Sequence, residues 1–221
     1  PALGVTHFFG VPANYLFLSQ HPDFANTDLS RIRSWGCGGA PMPVAVLNTY
    51  AERGIVIQTG FGMTETSPTV FLSDKRRALE KPTSVGKPLL HTRVRVIRDD
   101  FEEVQPGEIG EVCISGPNIT PGYVQEPALT AAAFDAEGWY RTGDAGRLAD
   151  PTDPRRGVVF DGRVAEDFKL TTGTWVHVGQ IRSDVVTALA PLIRDVVVTG
   201  HDRDVIGALL IPEPDACRIV A

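Results

Sequence analysis

The sequence predicts an α/β protein, with mixed sheets, β-hairpins and helices, that continues into the start of a small α+β domain. Residues 44–53 are apolar at helical spacing, and residues 55–58 form a short apolar run typical of a buried strand. Residues 93–98 alternate arginine with valine or isoleucine, which is the period of a half-exposed strand. Helical and strand patterns thus follow one another along the chain, as in the α/β class.

The first elements surround a glycine-rich turn. The helix at 44–53 follows Pro43 and ends at Gly54, a residue common after helices. The strand at 55–58 then leads into a turn at 59–65 that is bracketed by glycines. Residues 1–9 are typical of a strand entered midway, which indicates a chain cut from a longer protein.

The middle of the chain predicts antiparallel strands. Residues 93–98 and 111–115 read as a pair because the Gln-Pro-Gly-Glu run at 105–108 has the composition of a turn. A helix is predicted at residues 127–134, and two further strands are predicted within 139–148 and at 158–161.

The pattern changes after Arg163, where a short hairpin spans residues 168–176. A helix and two strands are predicted beyond it, at residues 181–193, 196–199 and 208–211. We therefore place a domain boundary near Gly162, with a large domain over 1–162 and an incomplete small domain over 163–221.

Composition narrows the class of function. The chain has 221 residues, of which 43% are hydrophobic and 22% charged, and a net charge of -6. Without a lysine- or arginine-rich block, a nucleic-acid or anionic-membrane partner is not expected. Three widely spaced cysteines fit neither a disulfide framework nor a metal motif and favour the reducing cytoplasm. No apolar stretch approaches the roughly 20 residues of a membrane span.

The run from Gly60 to Thr66 carries the strongest chemical signal. Gly60 and Gly62 around Phe61 allow the backbone to turn tightly and approach a phosphate. Thr64 offers a hydroxyl donor, and Glu65 offers an oxygen ligand of the kind Mg2+ prefers. By itself the run is more typical of an ordinary strand-to-helix turn capped by Thr64 than of a phosphate site.

Other motifs accompany this run in a fixed order. They are Gly38-Gly39-Ala40-Pro41, the run from Gly107 to Glu111 with Gly122-Tyr123, the run from Gly138 to Asp144, and Asp161-Gly162-Arg163. Together they resemble the adenylate-forming superfamily of acyl-CoA synthetases, luciferases and peptide-synthetase adenylation domains. The resemblance implies the C-terminal part of that superfamily's large AMP-binding domain, followed by the start of its small C-terminal domain.

The resemblance also implies roles for individual residues. Thr64 and Glu65 would be catalytic, Thr64 binding the α-phosphate and Glu65 holding Mg2+. The residues implied in binding ATP or AMP are Gly38, Gly39, Ala40, Gly60, Phe61, Gly62, Asp144 and Arg163. Among them, Phe61 would face adenine, and Asp144 and Arg163 would meet the ribose, while the small residues leave room for adenine and the substrate carboxylate.

The implied reaction joins a carboxylic acid to coenzyme A through an acyl-adenylate. Lys169 and Gly173 would border the coenzyme A path after the small domain rotates. Relatives also use a phosphate loop rich in glycine, serine and threonine, and a late lysine, and neither is present in this sequence. We therefore expect the chain alone to be inactive.

Two departures leave the substrate open. Ala165 occupies the position where relatives place a hinge lysine or aspartate, and the loop between Lys169 and Gly173 is one residue longer than usual. This stretch resembles feruloyl-CoA synthases, whereas the first half resembles fatty-acid ligases. The oligomeric state is not predicted.

Two other functions compete with the acyl-CoA synthetase interpretation. An adenylating enzyme could hand its acyl group to a carrier protein, or the chain could be a nucleotide-binding module that has lost catalysis. His7 and His177 are given no role, because no nucleophile pattern accompanies either. Tyr123 and Trp139 are assigned mainly to the core.

Overall fold

The computed structural model describes residues 3–82 and 84–220. It confirms a mixed α/β architecture, with few helices and several sheets. The opening strand predicted at 1–9 is observed only at its end, as β1 (His7–Gly10), because the chain turns at Gly4, whose φ is 65°. Pro1 and Ala2 lie outside the described residues. Within the described part of the chain, no helix combines the length and apolar character needed to cross a membrane.

A five-stranded sheet occupies the first third of the chain. Its strands lie in chain order, with β1, β2 and β3 parallel and β3, β4 and β5 antiparallel. The remaining strands of this sheet are β2 (Ser34–Cys37), β3 (Ile57–Gly62), β4 (Thr69–Leu72) and β5 (Lys87–Pro88).

The strand predicted at 55–58 is wrong at both ends. β3 runs from Ile57 to Gly62, so the glycine-bracketed residues form strand and the turn begins only at Met63. The physical reason is tertiary pairing, because Gly60 and Phe61 lie opposite Leu72 and Phe71 of β4. Local turn propensity is overridden by that ladder.

A four-stranded antiparallel sheet follows, with its strands again in chain order. The antiparallel pair predicted at 93–98 and 111–115 is confirmed as its first two strands. The four strands are β6 (Arg93–Ile97), β7 (Gly110–Ser115), β8 (Tyr140–Leu148) and β9 (Val158–Arg163).

Two antiparallel strand pairs form the sheets of the last part of the chain. The predicted hairpin at 168–176 is observed, and the predicted terminal strands pair with one another. The strands are β10 (Phe168–Lys169), β11 (Trp175–Val176), β12 (Ile193–Thr199) and β13 (Gly207–Pro212).

The helices pack beside these sheets. In the second helix, Val46, Leu47 and Tyr50 are buried, as its 3.6-residue period predicts. The five helices in the described residues are α1 (Pro12–Gln20), α2 (Val44–Ala51), α3 (Pro127–Ala133), α4 (Val178–Ala188) and α5 (Pro214–Val220).

The helix predicted at 181–193 is displaced. α4 begins three residues earlier, at Val178, because the Asp167 carboxylate accepts the Val178 backbone N–H at 2.9 Å. It ends at Ala188, before Pro191, and Ile193 pairs with Pro212 in β13 instead.

The two large sheets share a core. Val70 and Phe71 of β4 pack in one buried cluster with side chains of β6 to β9. A side-chain carbon at Gly157 would lie 2.0 Å from the Gly86 carbonyl oxygen, so the sheets meet where only glycine fits. Phe61 and Met63 border the same cluster. The turn between β3 and β4 is therefore held at the junction of the two sheets.

Candidate nucleotide site

The β3–β4 turn is tightly closed. A side-chain carbon at Gly62 would lie 1.7 Å from the Pro68 carbonyl oxygen, so this position requires glycine. The buried Thr66 hydroxyl accepts the Met63 N–H at 2.9 Å and lies within hydrogen-bond distance of the Pro68 carbonyl. Ser67 takes a left-handed conformation with φ of 58°. These contacts hold the two residues at the tip, Thr64 and Glu65, on a short 3-10 turn.

Thr64 and Glu65 differ in exposure and support. Thr64 is exposed, and its hydroxyl has no hydrogen-bond partner among the described residues. Glu65 is half-buried, and its Oε1 accepts the Tyr123 hydroxyl at 3.0 Å. Its backbone carbonyl accepts the Thr120 N–H at 2.8 Å. Glu65 is therefore held in place, while its other oxygen has no described partner and could serve as a metal ligand.

Asp144 and Arg163 face each other across β8 and β9. The Asp144 side chain is 3% exposed, and its Oδ1 lies 3.1 Å from Nε of Arg163, whose own side chain is 58% exposed. Burial raises the pKa of Asp144 to about 6, with the Arg163 charge opposing that rise and Glu111 adding to it. The site therefore presents one buried carboxylate whose cationic partner reaches solvent.

Hydrogen bonds of neighbouring residues fix the strand geometry around Asp144. The Thr142 hydroxyl donates to the Val112 carbonyl at 2.7 Å and accepts the Asp144 N–H at 3.1 Å. Glu111 accepts from the Arg141 guanidinium and, at 3.1 Å, from the Gly143 N–H. Because these bonds span β7 and β8, Asp144 is positioned by two strands rather than by a loop.

Phe61 links the turn to the strand that carries Arg163. Its ring centroid lies 5.4 Å from Phe160 of β9 and 5.8 Å from Phe71 of β4. Phe61 is half-buried, so part of its ring remains accessible. This contact places the Gly60–Gly62 segment next to β9, the strand that ends at Arg163.

Of the small residues at 38–40, Gly38 lies beside Gly60 of β3. A side-chain carbon at Gly38 would meet the Gly60 carbonyl oxygen at 3.4 Å and the Phe9 ring at 3.2 Å, so this glycine packs closely. Gly39, with φ of 81°, and Ala40 are exposed. The two glycine motifs, which lie about twenty residues apart in the sequence, are therefore neighbours in space.

Lys169 and Gly173 occupy a separate place, on the β10–β11 hairpin. The Lys169 ammonium lies 4.6 Å from the centroid of the Trp175 ring, and Gly173 sits in open space at φ of 86°. No hydrogen bond or ion pair between described residues joins either of them to Thr64 or Glu65.

Sequence reasoning missed several supporting residues. Tyr123 was assigned mainly to the core, yet its hydroxyl holds Glu65. The position of Tyr123 in the Gly122-Tyr123 motif was the signal available in the sequence. No sequence signal pointed to Phe160 or Thr142, because their roles depend on strand register. His177 was given no role but lies 2.9 Å from Asp167.

Comparison with known proteins defines the class. The family model described as AMP-binding enzyme matches residues 1–124, and the chain belongs to that family.

Two curated relatives and one solved structure illustrate the membership. A feruloyl-CoA synthase from Amycolatopsis is 41% identical over 140 residues, 63% of this chain and 28% of its own length. A long-chain-fatty-acid–CoA ligase from Mycobacterium tuberculosis is 34% identical over 192 residues, 86% of this chain and 36% of its own length. The O-succinylbenzoate–CoA synthetase of Bacillus subtilis, solved with AMP, matches 95% of this chain and 42% of its own, with a TM-score of 0.79 and 26% identity. The chain thus spans well under half of each protein.

Proposed function

We propose that the chain supplies the nucleotide-binding part of the active site of an AMP-forming acyl-CoA synthetase. Such an enzyme converts a carboxylic acid and ATP to an acyl-adenylate and pyrophosphate, and coenzyme A then displaces AMP. The observation that carries the proposal is the buried Asp144, paired at 3.1 Å with Arg163 at the end of β9, the strand whose Phe160 contacts Phe61. The names of the relatives support the same reaction class.

The nucleoside end of the site is assigned to three side chains. The two oxygens of the Asp144 carboxylate accept the two ribose hydroxyls, a task suited to an acceptor-only group. Arg163 keeps that carboxylate ionised and adds a donor at the rim. Phe61, with its ring half-accessible, presents an apolar face to adenine.

The phosphate end is assigned to the turn tip. The exposed Thr64 hydroxyl donates to an α-phosphate oxygen, and Glu65 holds Mg2+ through the oxygen that Tyr123 does not contact. Bound Mg2+ would neutralise charge on the pyrophosphate leaving group. Because Tyr123 and Thr120 fix Glu65 beforehand, little reorganisation is needed when the nucleotide arrives.

The thioester-forming step is assigned to the last quarter of the chain. We propose that residues 1–162 and 163–221 are separate domains and that the small one pivots near Arg163 to Ala165. Lys169 and Gly173 would then border the pantetheine arm of coenzyme A. The buried free thiols of Cys37 and Cys113, whose pKa values burial raises, are consistent with a reducing cytoplasm.

The acyl substrate is proposed as either an aromatic or a fatty acid, since relatives of both names match the chain. AMP formation by a complete enzyme carrying this chain, with coenzyme A and a panel of hydroxycinnamic and fatty acids, decides between them. Transfer to a phosphopantetheinyl protein without coenzyme A would favour the carrier-protein alternative.

A binding experiment tests the nucleotide assignment directly. We expect the purified chain to bind adenosine and AMP saturably by calorimetry. We also expect no carboxylate-dependent pyrophosphate release from it, because its sequence contains neither the phosphate loop nor the late lysine of the family. Absence of adenosine binding by a folded chain contradicts the nucleotide site, whereas measurable turnover contradicts only the predicted inactivity.

A further inference from the structure

Three side chains converge where the four-stranded sheet meets the last part of the chain. Asp161 lies on β9, Asp167 follows a 3-10 turn at Val164–Glu166, and His177 precedes α4. One oxygen of each carboxylate and one nitrogen of the imidazole all lie within 4.8 Å of one another. These residues, the Asp161 cluster, have no part in the proposed nucleotide site.

Asp161 is the unusual member of the cluster. Its side chain is 6% exposed, and its Oδ2 is buried without a hydrogen-bond partner. His177 Nδ1 is 4.0 Å from that oxygen, which is too far for a hydrogen bond. A buried carboxylate oxygen that receives no hydrogen is costly unless it coordinates a cation.

The other two members are already oriented. Asp167 Oδ1 accepts the Val178 N–H at 2.9 Å, which directs Oδ2 towards His177 Nδ1, also at 2.9 Å. The His177 side chain is 36% exposed, and its ring stacks on Trp175 with centroids 6.4 Å apart. Two fixed ligands and a side open to solvent are what a metal needs in order to enter and keep a water.

The charge balance also favours a cation. Burial raises the pKa of Asp161 to about 6, and the nearby Asp167 adds to that rise, as does Asp184. His177 and Arg147 oppose it. Two nearly buried carboxylates thus share a single imidazole, and a divalent ion would satisfy both of them at once.

We propose that Asp161 Oδ2, Asp167 Oδ2 and His177 Nδ1 bind a divalent transition metal, with Zn2+ as the best match. In a tetrahedral site, ligand atoms at about 2.1 Å from one ion lie roughly 3.4 Å apart. The two separations in the cluster, 2.9 and 4.0 Å, lie on either side of that value, so small side-chain movements would bring the three atoms onto one ion. The imidazole ligand favours Zn2+ over Mg2+ or Ca2+, which take oxygen ligands.

The position of the cluster gives the metal a structural purpose. Asp161 and Asp167 flank Arg163, and His177 lies directly before α4. The backbone is already close here, since a side-chain carbon at Gly179 would lie 2.1 Å from the Asp161 carbonyl oxygen. A bound ion would fasten the end of β9 to the start of α4 and stabilise the junction against opening.

Metal titration tests the site. Protein treated with a chelator and then dialysed is titrated with Zn2+ by calorimetry and with Co2+ by visible absorption. We expect one equivalent to bind per chain, with a rise in melting temperature. Asp161→Asn and His177→Gln should each weaken binding by roughly tenfold or more, because each removes one of three ligands.

Two control variants separate this site from incidental binding. His201→Gln alters an exposed histidine that lies 3.6 Å from the exposed Asp202, and it should leave Zn2+ affinity unchanged. Cys217→Ser removes the half-exposed thiol and should also have no effect.

The proposal is overturned if wild-type protein shows no saturable binding of one equivalent, or if both ligand variants bind as tightly as wild type. Loss of binding in His201→Gln or Cys217→Ser would also overturn it. If Asp161→Asn fails to fold, His177→Gln carries the test, because that side chain is half-exposed. The nucleotide proposal is unaffected by either result, since adenosine binding is measured without metal.

Discussion

Asp144 on β8 and Asp161 on the adjacent β9 are two buried carboxylates in one sheet, and burial raises the pKa of each to about 6. Their surroundings differ. Asp144 has Arg163 at 3.1 Å, whereas Asp161 has an oxygen with no partner at all within the described structure. Burial alone therefore does not assign a function to a carboxylate. Arg163 beside Asp144 suits that carboxylate to accept hydroxyl groups. The unpartnered oxygen of Asp161 suits that carboxylate to bind a metal cation.

Removing each carboxylate should give the largest contrast between them. Asp144→Ala should weaken adenosine binding about 100-fold, because two charge-assisted hydrogen bonds to ribose are lost. Asp161→Ala should change adenosine affinity less than about twofold, because no ribose contact depends on it. Calorimetry on both variants, with folding checked by circular dichroism, measures the difference. Equal losses would erase the functional distinction between the two sites.

The pH dependence of adenosine binding should isolate Asp144. Its pKa is higher in the folded protein than the ordinary 3.8, so it is protonated below about pH 6 and ionised above. Because the ionised form accepts both ribose hydroxyls, affinity should rise roughly tenfold between pH 5 and pH 7. Adenosine has no phosphate that titrates in this range.

The Asp144→Asn variant is the control for this profile and should show nearly constant affinity. A rise in pH should have the opposite effect on the stability of the ligand-free protein from its effect on adenosine binding. Ionising a buried carboxylate disfavours the folded state, so the contribution of Asp144 to the stability of ligand-free protein should fall as pH rises through about 6. A flat wild-type binding profile would show that Asp144 does not contact the ribose in its ionised form.

Changing the neighbouring arginines should have a smaller effect. Arg163→Gln removes the charge that lowers the pKa of Asp144, so the midpoint of adenosine binding should move to higher pH. Affinity at pH 6 should fall about fivefold. Arg147 acts on Asp161 instead, and Arg147→Gln is the matched control that should leave the midpoint in place. A shift of the same size in both variants would mean that general surface charge sets the pKa.

Glu65 extends the comparison to a third carboxylate, which is half-buried and held by a neutral hydroxyl. Tyr123→Phe removes that 3.0 Å hydrogen bond and should raise the Mg2+ concentration needed for tight ATP binding about threefold. Adenosine affinity should not change, because adenosine has no phosphates to bring the metal. A change in adenosine affinity would instead indicate that Tyr123 supports the fold of the whole site.

Local pattern predicted the elements whose stability is local. α2 was recognised because Val46, Leu47 and Tyr50 repeat at helical spacing, and the β6–β7 pair because a turn separates two alternating runs. β3 and α4 were displaced for the opposite reason. Pairing with β4 extends β3 through its glycines. The first N–H of α4 is capped by Asp167, which lies eleven residues before the helix begins.

The functional residues also divide into those that the sequence predicted and those that only the tertiary structure reveals. The motif residues could be recognised in sequence by resemblance, and the structure brings Gly38, Gly60 and Phe61 together and pairs Asp144 with Arg163. The bond between Tyr123 and Glu65 joins residues 58 positions apart, and no sequence pattern records it. The Asp161 cluster combines three separate elements, so only the tertiary structure could reveal it.

The close approach of Gly62 to Pro68 affects the entropy of nucleotide binding. The β3–β4 turn is closed by its own contacts, with Thr66 buried inside it. Its backbone therefore loses conformational freedom when the chain folds, rather than when ATP arrives. Tyr123 already holds Glu65, so a ligand meeting this turn has mainly the exposed Thr64 side chain left to order, and the ordering cost falls on one side chain instead of the whole turn at 63–68.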